Sequence, residues 1–163
     1  MNRSKAIFLD RDGVINFEKG DYTCKIKDFI INEGVIEALQ HFKSDGYVFI
    51  IISNQSGVSK GFYSVADVEL LHRYFTDTLN GSNILIKEIY YCPHHPDTGN
   101  CLCRKPCGLL FEKAIARFDI DPSISYMIGD KERDITAGES VGIRGILIKP
   151  NSSLMDIIPL GRL

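Results

Sequence analysis

The sequence lacks a long apolar run, an excess of charge of one sign and an even set of cysteines. Its longest apolar stretch, Tyr47 to Ile52, is far shorter than the roughly 20 residues that a membrane-spanning helix needs. No signal-peptide core precedes the first polar motif. These absences predict a cytoplasmic protein with no membrane partner.

The charge balance argues against a polyanionic partner. The formal net charge is -2, so the chain lacks the basic field of nucleic-acid binders, and we expect a small-molecule ligand and no nucleic acid. Hydrophobic residues make up 44% of the chain and charged residues 25%, which is typical of globular proteins. A core of this size already buries about two thirds of the unfolded chain's surface. We therefore predict one domain over residues 1–163, acting as a monomer.

Short apolar runs alternate with longer amphipathic segments. The predicted strands cover residues 6–9, 48–52, 89–91, 126–128 and 146–148, and the predicted helices cover 35–42, 65–79, 109–118 and 135–141. Continuously apolar strands indicate a parallel sheet with helices on both faces. The predicted fold is therefore α/β, a three-layer open parallel sheet, which binds ligands beyond the carboxyl ends of its strands.

Two carboxylates, Asp10 and Asp12, follow the first predicted strand, and Gly13 turns the chain away. Two acids in unequal environments can divide the work of phosphoryl transfer. One, kept ionised by a cation, attacks phosphorus, while the other, with its pKa raised, protonates the leaving oxygen. The same residues also fit an ordinary solvated turn. The residues at the other strand ends are needed to distinguish the two interpretations.

Polar residues follow the other predicted strands as well. They include Ser53, Asn54, Gln55, Ser56, Asp130, Lys131 and Asp134, and the pair Arg104 and Lys105 precedes a helix. Small polar side chains can donate hydrogen bonds to a phosphoryl oxygen. Since Mg²⁺ usually takes one or two carboxylates together with waters and a substrate phosphate, Asp10 and Asp130 predict a magnesium site.

In this order the motifs resemble those of the haloacid dehalogenase (HAD) superfamily of phosphohydrolases, and the resemblance covers nearly the whole chain. It implies that Asp10 is the nucleophile and Asp12 the general acid, which then acts as the base toward water. It also implies that Ser53 and Lys105 bind the transferring phosphoryl group, with Asp134 supporting the site. Mg²⁺ would be bound by Asp10, Asp130 and the backbone carbonyl of Asp12. The spacing of the motifs leaves no room for a large cap domain, so we expect an open site.

A second set of potential ligands lies in the long irregular stretch from Pro93 to Pro106 and just before it. Cys92, His94, Cys101 and Cys103 form a Cys₃His set, an accepted composition for structural zinc. Five cysteines cannot all pair with one another, and their clustering favours a metal over disulfides. We predict Zn²⁺ in a loop at about residues 92–103. The alternatives are His95 or Cys107 as a ligand, or a loop of reduced thiols. Cys24 is expected to be an ordinary thiol.

These combined motifs resemble the zinc-containing HAD branch that includes heptose bisphosphate phosphatases and histidinol-phosphate phosphatases. The segments that carry the resemblance are Ala6–Gly13, Asn54–Gly57, Tyr90–Pro96 and Cys103–Pro106. The resemblance implies removal of the 7-phosphate of D-glycero-D-manno-heptose 1,7-bisphosphate. It also implies that Arg104 helps to select the substrate. The predicted substrate-binding residues are Arg11, Glu18, Gly20, Asp21, Asn54, Gln55, Ser56, Arg104 and Lys131.

Two features favour the histidinol-phosphate phosphatases instead. Cys107 and Gly108 follow Pro106 directly, where the heptose enzymes usually carry a Pro-Gly pair, and the loop between His94 and Cys101 is short. The Gln55–Gly57 segment and the His94–His95 pair favour the heptose enzymes, and we weigh the evidence toward a heptose bisphosphate. Histidinol phosphate remains one alternative. A phosphate-binding module without catalysis is another, although a mere binder has no need of the second acid, Asp12.

Overall fold

The computed structural model describes residues 3–160, so both ends of the predicted domain, residues 1 and 163, lie outside the described residues. Its five strands are β1 (Ala6–Leu9), β2 (Val48–Asn54), β3 (Ile86–Cys92), β4 (Tyr126–Gly129) and β5 (Arg144–Leu147). The helices are α1 (Val35–Ser44), α2 (Val65–Gly81), α3 (Leu109–Phe118) and α4 (Glu132–Glu139). Short 3₁₀ turns cover Ile26–Asp28, Pro96–Thr98, Pro122–Ile124 and Leu154–Leu160.

The strands form one parallel sheet in the order β3-β2-β1-β4-β5. β1 lies in the middle, with β2 on one side and β4 on the other, and it is buried along its whole length. Because all strands run in the same direction, their carboxyl ends meet at one edge. The residues after β1 and β4 and at the end of β2 are thereby brought together, which confirms the predicted parallel three-layer fold.

Alternate residues of β1 face opposite layers of the core. Ile7 and Leu9 pack with the buried faces of α1 and α2, whereas Ala6 and Phe8 pack with α3 and α4. Each helix presents an apolar stripe to the sheet because its large aliphatic and aromatic residues recur at helical spacing. Burying such a side chain stabilises the fold by about 1.5–3 kcal/mol relative to leaving it exposed. The two cores fix the strand ends against movement.

Several predicted boundaries differ from the observed ones. β3 starts three residues before the predicted strand, because Ile86 pairs with Phe49 beyond a local irregularity in the ladder. α4 spans residues 132–139 rather than 135–141. Its earlier start follows from the Asp134 side chain, which accepts a hydrogen bond from the Lys131 backbone N–H and caps the first turn. Only strand residues 6–9 and helix residues 109–118 match their predicted limits at both ends.

Among residues 3–160, none of the helices is both long enough and apolar enough to cross a membrane.

Candidate active site and metal centres

A cavity of about 290 Å³ opens at the carboxyl edge of the sheet. Its lining combines acidic groups, basic groups and small polar groups: Asp10, Asp12, Glu18, Gly20, Asp21, Tyr22, Asn54, Ser56, Arg104, Asp130, Lys131 and Arg133. Most of the residues predicted to bind substrate are in this set. Arg133 lines the cavity without having been predicted as a substrate-binding residue.

Asp10 lies at the base of the cavity in a buried ion-pair network. Lys105 Nζ lies 2.8 Å from Asp10 Oδ1 and 2.8 Å from Asp134 Oδ1. Burial raises the pKa of Asp10 to about 7, against the lowering effect of Lys105. Burial disfavours the charge of Lys105, but the two carboxylates outweigh it and raise the pKa of that lysine. The site therefore places the Asp10 carboxyl group beside a charged ammonium.

Lys105 is held by hydrogen bonds to residues of β2. Its Nζ donates a 2.7 Å hydrogen bond to the carbonyl of Ile52, and its backbone N–H donates to Asn54 Oδ1 at 3.1 Å. Asn54 Nδ2 in turn donates to the Lys105 carbonyl at 3.2 Å. Asn54 thus lines the cavity and also fixes the lysine, so the end of β2 and the loop before α3 form one rigid unit.

Asp12 is surrounded by hydrogen-bond donors. Arg11 Nη2 lies 2.9 Å from Oδ1 and 2.8 Å from Oδ2 of this carboxylate. Asn16 Nδ2 donates to Oδ1 and Gln55 Nε2 donates to Oδ2, each at 3.0 Å. Burial would raise the pKa of Asp12, but Arg11, Asn16 and Gln55 outweigh burial and lower it. The expectation of a raised pKa for the second acid is therefore wrong for this arrangement, because a guanidinium stabilises the ionised carboxylate.

Arg11, Gln55 and Ser53 lie behind the cavity surface rather than on it. Arg11 is 1% exposed and Gln55 is 2% exposed, and neither lines the cavity. The sequence placed both among the substrate-binding residues, but their side chains contact Asp12 instead. Ser53 is also buried and accepts a 2.8 Å hydrogen bond from Gln55 Nε2. Tyr63, which sequence reasoning missed, completes the group by donating to Gln55 Oε1 at 2.9 Å.

Asp130 offers oxygen atoms that the described protein leaves free for a cation. Both of its carboxylate oxygens are buried without a hydrogen-bond partner of good geometry, although Lys131 Nζ lies 2.8 Å from Oδ2. Gly13 has a φ of +84°, and a Cβ at this position would lie 2.6 Å from Asp130 Oδ2. Oxygen atoms of Asp10, Asp130 and Asp134 all lie within 4.8 Å of one another. A hard cation fits this set of donors, although Asp134 already faces Lys105.

The far wall of the cavity comes from the segment after β1. Lys131 Nζ contacts Glu18 Oε2 at 3.2 Å and so joins this segment to the loop after β4. Asn151 fixes Glu18 from behind, accepting from its backbone N–H at 2.7 Å and donating to its carbonyl at 2.9 Å. No local sequence signal marked Asn151, because its partner lies more than a hundred residues away. Tyr22 packs against Phe62 and Tyr63 at the rim.

The four predicted soft ligands converge in the loop after β3. Cys92 Sγ lies 3.6 Å from His94 Nδ1, 3.6 Å from Cys101 Sγ and 3.1 Å from Cys103 Sγ. His94 Nδ1 lies 3.3 Å from Cys103 Sγ, and all four ligand atoms fall within 4.8 Å of one another. A tetrahedral zinc-thiolate site has ligand separations of about 3.8 Å, so the loop offers a tetrahedral set of nearly the right size.

The alternative ligands lie outside this cluster. His95 Nδ1 accepts a hydrogen bond from the backbone N–H of Asp97 and caps the short 3₁₀ turn. Cys107 is exposed, and all five cysteines are free thiols. Arg104 Nη1 donates to the His94 carbonyl at 3.1 Å, which connects the cluster to the wall of the cavity.

Known proteins with similar sequences and folds agree with this site. A family model described as HAD-hydrolase-like matches residues 102–156. The chain is 42% identical over 149 residues to the D-glycero-beta-D-manno-heptose-1,7-bisphosphate 7-phosphatase of Helicobacter pylori, covering 91% of this chain and 85% of that protein. It is 41% identical over 155 residues to the D-glycero-alpha-D-manno-heptose-1,7-bisphosphate 7-phosphatase of Photorhabdus laumondii, covering 91% of this chain and 84% of that protein.

A solved structure has a similar fold. The D,D-heptose 1,7-bisphosphate phosphatase of B. bronchiseptica, complexed with magnesium and phosphate, superposes with a TM-score of 0.83 at 28% identity, over 98% of this chain and 88% of that one. The sheet, the acidic edge and these relatives lead to the same assignment. The chain belongs to the heptose-1,7-bisphosphate 7-phosphatase family of HAD-like phosphatases.

Proposed function

We propose that this protein removes the 7-phosphate of D-glycero-D-manno-heptose 1,7-bisphosphate, with Asp10 as a covalent nucleophile. One observation carries the proposal. Asp10 Oδ1 lies 2.8 Å from Lys105 Nζ at the base of a cavity whose walls include Arg104 and Lys131. A carboxylate beside a fixed cation is suited to attack a phosphoryl group, and the basic walls are suited to a second phosphate.

In the first half of the reaction, a carboxylate oxygen of Asp10 forms a bond to phosphorus while the bond from phosphorus to the sugar oxygen breaks. Lys105 offsets negative charge on the phosphoryl oxygens. The leaving oxygen takes a proton from Asp12. The incoming phosphate dianion favours the protonated form of Asp12, because a nearby like charge raises the pKa of a carboxyl group.

In the second half, water attacks phosphorus and the bond to Asp10 breaks, which releases inorganic phosphate and restores the carboxylate. Asp12 takes the proton from water as it attacks. The hydrogen bonds from Arg11, Asn16 and Gln55 favour the ionised form of Asp12, which is the form required at this step. Ser53 and Asn54 support the phosphoryl site from the end of β2.

Two metals belong to the proposal. Asp10, Asp130 and the backbone carbonyl of Asp12 would hold Mg²⁺, which supplies positive charge beside the transferring phosphoryl group. Asp130 Oδ1, which has neither a hydrogen bond nor an ion pair, supports this assignment. Cys92, His94, Cys101 and Cys103 would hold Zn²⁺ in a closed structural site, supported by their convergence. The cytoplasmic location, the monomeric state and the single domain predicted from the sequence are part of the same proposal.

A substrate panel tests this function. Phosphate release would be measured with Mg²⁺ on both anomers of the heptose bisphosphate and on histidinol phosphate, using equal enzyme. We expect one heptose anomer to give the largest kcat/KM, by on the order of a hundredfold over histidinol phosphate, with activity lost in EDTA and restored by Mg²⁺. Larger activity on histidinol phosphate would reject the proposed substrate, and no release from any ester would favour a binding module.

A further inference from the structure

Arg11 has a buried guanidinium that does not line the cavity itself but holds a residue that does, Asp12. Arg11 is 1% exposed. Besides the Asp12 carboxylate, its Nη2 donates a 2.8 Å hydrogen bond to the carbonyl of Thr23. A guanidinium only donates hydrogen bonds, and each buried N–H requires an acceptor. Nε and Nη2 of Arg11 have acceptors in Asp12 and Thr23, which leaves Nη1 as the nitrogen that still requires one.

His72 supplies a contact to that nitrogen. It lies on the buried face of α2, is 5% exposed, and its Nε2 lies 3.4 Å from Arg11 Nη1. The ring packs edge-on against Phe75 and Tyr91, with centroids 5.6 and 5.4 Å away. The packing fixes the plane of the imidazole, so that Nε2 faces the guanidinium.

The neutral ring is the form that suits this contact. Burial, together with the positive charge of Arg11, lowers the pKa of His72 to about 3. A neutral imidazole has one nitrogen without a proton, and Nε2 can then accept from Arg11 Nη1 while Nδ1 carries the hydrogen. A chain of contacts thus runs from α2 through Arg11 to Asp12.

We infer that His72 is a positioning residue for catalysis, which orients Arg11 and through it the proton-transferring carboxylate of Asp12. His72 does not line the cavity and acts without touching substrate. Asn16 and Gln55 hold Asp12 from other directions, so loss of His72 loosens the carboxylate without releasing it. The inference rests on the proposed role of Asp12 in the phosphatase reaction.

The competing interpretation is a histidine that merely fills space in the core. The two interpretations differ in how the rate depends on the leaving group. Proton transfer from Asp12 matters greatly for an alkyl leaving oxygen and little for an aryl one, which is stable as the anion. A packing defect that changes the amount of folded enzyme lowers the rates on both esters by the same factor.

Two substitutions of similar polarity separate these cases. In His72→Gln the amide oxygen can take the place of Nε2, whereas in His72→Asn the amide is one carbon shorter and corresponds to Nδ1, which does not face Arg11. Leu71→Ala, at a buried position of the same helix, is the control for lost packing. Each variant would be assayed on the heptose bisphosphate and on p-nitrophenyl phosphate with saturating Mg²⁺, and its folded fraction measured by circular dichroism.

We expect His72→Asn to lower kcat/KM, which reports phosphoryl transfer to Asp10, about tenfold on the alkyl ester and less than about twofold on the aryl ester. His72→Gln should retain most of the kcat/KM on the alkyl ester, and Leu71→Ala should affect both esters equally. Equal losses of kcat/KM on the two esters, an unchanged kcat/KM on the alkyl ester in His72→Asn, or failure of Gln to rescue would overturn the inference. If the wild type rejects the heptose bisphosphate but cleaves another alkyl phosphate, the substrate proposal fails and that ester serves for the same comparison.

Discussion

The acidic edge of the sheet and the Cys/His loop differ in how they are held together. At the edge, Lys105 forms buried ion pairs with both Asp10 and Asp134 near the strand ends. In the loop, three thiols and an imidazole converge among themselves, in a stretch whose only regular element is the 3₁₀ turn at Pro96–Thr98. The edge is organised by contacts within the protein, whereas the proposed zinc would organise the loop.

Asp10→Asn should produce the largest effect and should be confined to the acidic edge. The amide cannot attack phosphorus and is a poor ligand for Mg²⁺, so kcat should fall by at least about a thousandfold. Zinc content and thermal stability should stay close to wild type, because Asp10 is not part of the Cys/His cluster. Phosphate release and elemental analysis on the same preparation check both statements. Activity within tenfold of wild type would remove Asp10 as the nucleophile.

Cys103→Ser should disrupt the Cys/His loop. It should also lower activity at the acidic edge, through the two residues that follow it in the sequence. Arg104 and Lys105 follow this cysteine directly, so a loosened loop should misplace both and lower kcat/KM roughly thirtyfold. Zinc should drop well below the roughly one ion per chain expected for the wild type, and added Mg²⁺ should not restore the rate. Cys107→Ser, at an exposed thiol outside the cluster, is the control. Full activity with full metal content in Cys103→Ser would mean that the loop does not position the site.

Arg104→Ala sharpens the comparison, because this residue joins the two regions through its hydrogen bond to the His94 carbonyl. If its guanidinium pairs with the phosphate that stays on the sugar, kcat/KM should fall about tenfold for a bisphosphate and much less for a monophosphate. Arg104→Lys retains the charge and should recover part of the loss. Steady-state kinetics on matched mono- and bisphosphates measure this, and equal losses would exclude Arg104 from substrate recognition.

The smallest expected effect is a pH dependence of stability from His72. Burial and the charge of Arg11 lower the pKa of His72 from 6.5 to about 3 in the folded protein, against the raising effect of Asp12. Glu69 and Arg73 line the same groove as His72. Between these pH values the unfolded chain binds a proton that the folded chain does not, so this contribution to stability falls as pH falls. The expected slope is at most about 1.4 kcal/mol per pH unit.

Urea unfolding of the wild type and His72→Gln at pH 5.5 and 7 measures this slope, since the glutamine does not titrate. The free energy of unfolding of the wild type relative to the variant should be lower at pH 5.5. His41→Gln, at an exposed position of α1, is the control and should show a smaller change. No relative change for His72→Gln would mean that folding does not lower the pKa of His72.

Features that follow from a local pattern could be predicted from the sequence, whereas contacts between residues far apart in the sequence could not. Apolar strands predict a parallel sheet, and a parallel sheet brings Asp10 and Asp130 to one edge, so the proximity of these two carboxylates could be predicted. The close spacing of Cys92 with His94 and of Cys101 with Cys103 likewise predicts a ligand cluster. Arg11 was predicted to bind substrate. Its guanidinium instead contacts Asp12 and lies 3.4 Å from His72 on α2.

His72 and Asn151 carry no local signal at all. His72 lies on a helix whose other buried residues are apolar, and it differs from a core histidine only in facing Arg11, which is 61 positions away in the sequence. Asn151 reaches Glu18 from the turn after β5, a contact that no helical or strand period predicts. The pKa of Asp12 is lowered by two donors from its own segment, Arg11 and Asn16, together with one tertiary contact from Gln55.

The central claim is covalent catalysis by Asp10, and trapping the phosphorylated enzyme tests it most directly. Asp12→Ala should still accept phosphate from p-nitrophenyl phosphate, whose leaving group needs no acid, but should release it slowly without a base for water. Acid quenching, borohydride reduction and peptide mass spectrometry should then find Asp10 converted to homoserine, with no conversion in the Asp10→Asn protein. Conversion at another carboxylate, or an unmodified Asp10 during steady release of nitrophenol and phosphate, would contradict the account.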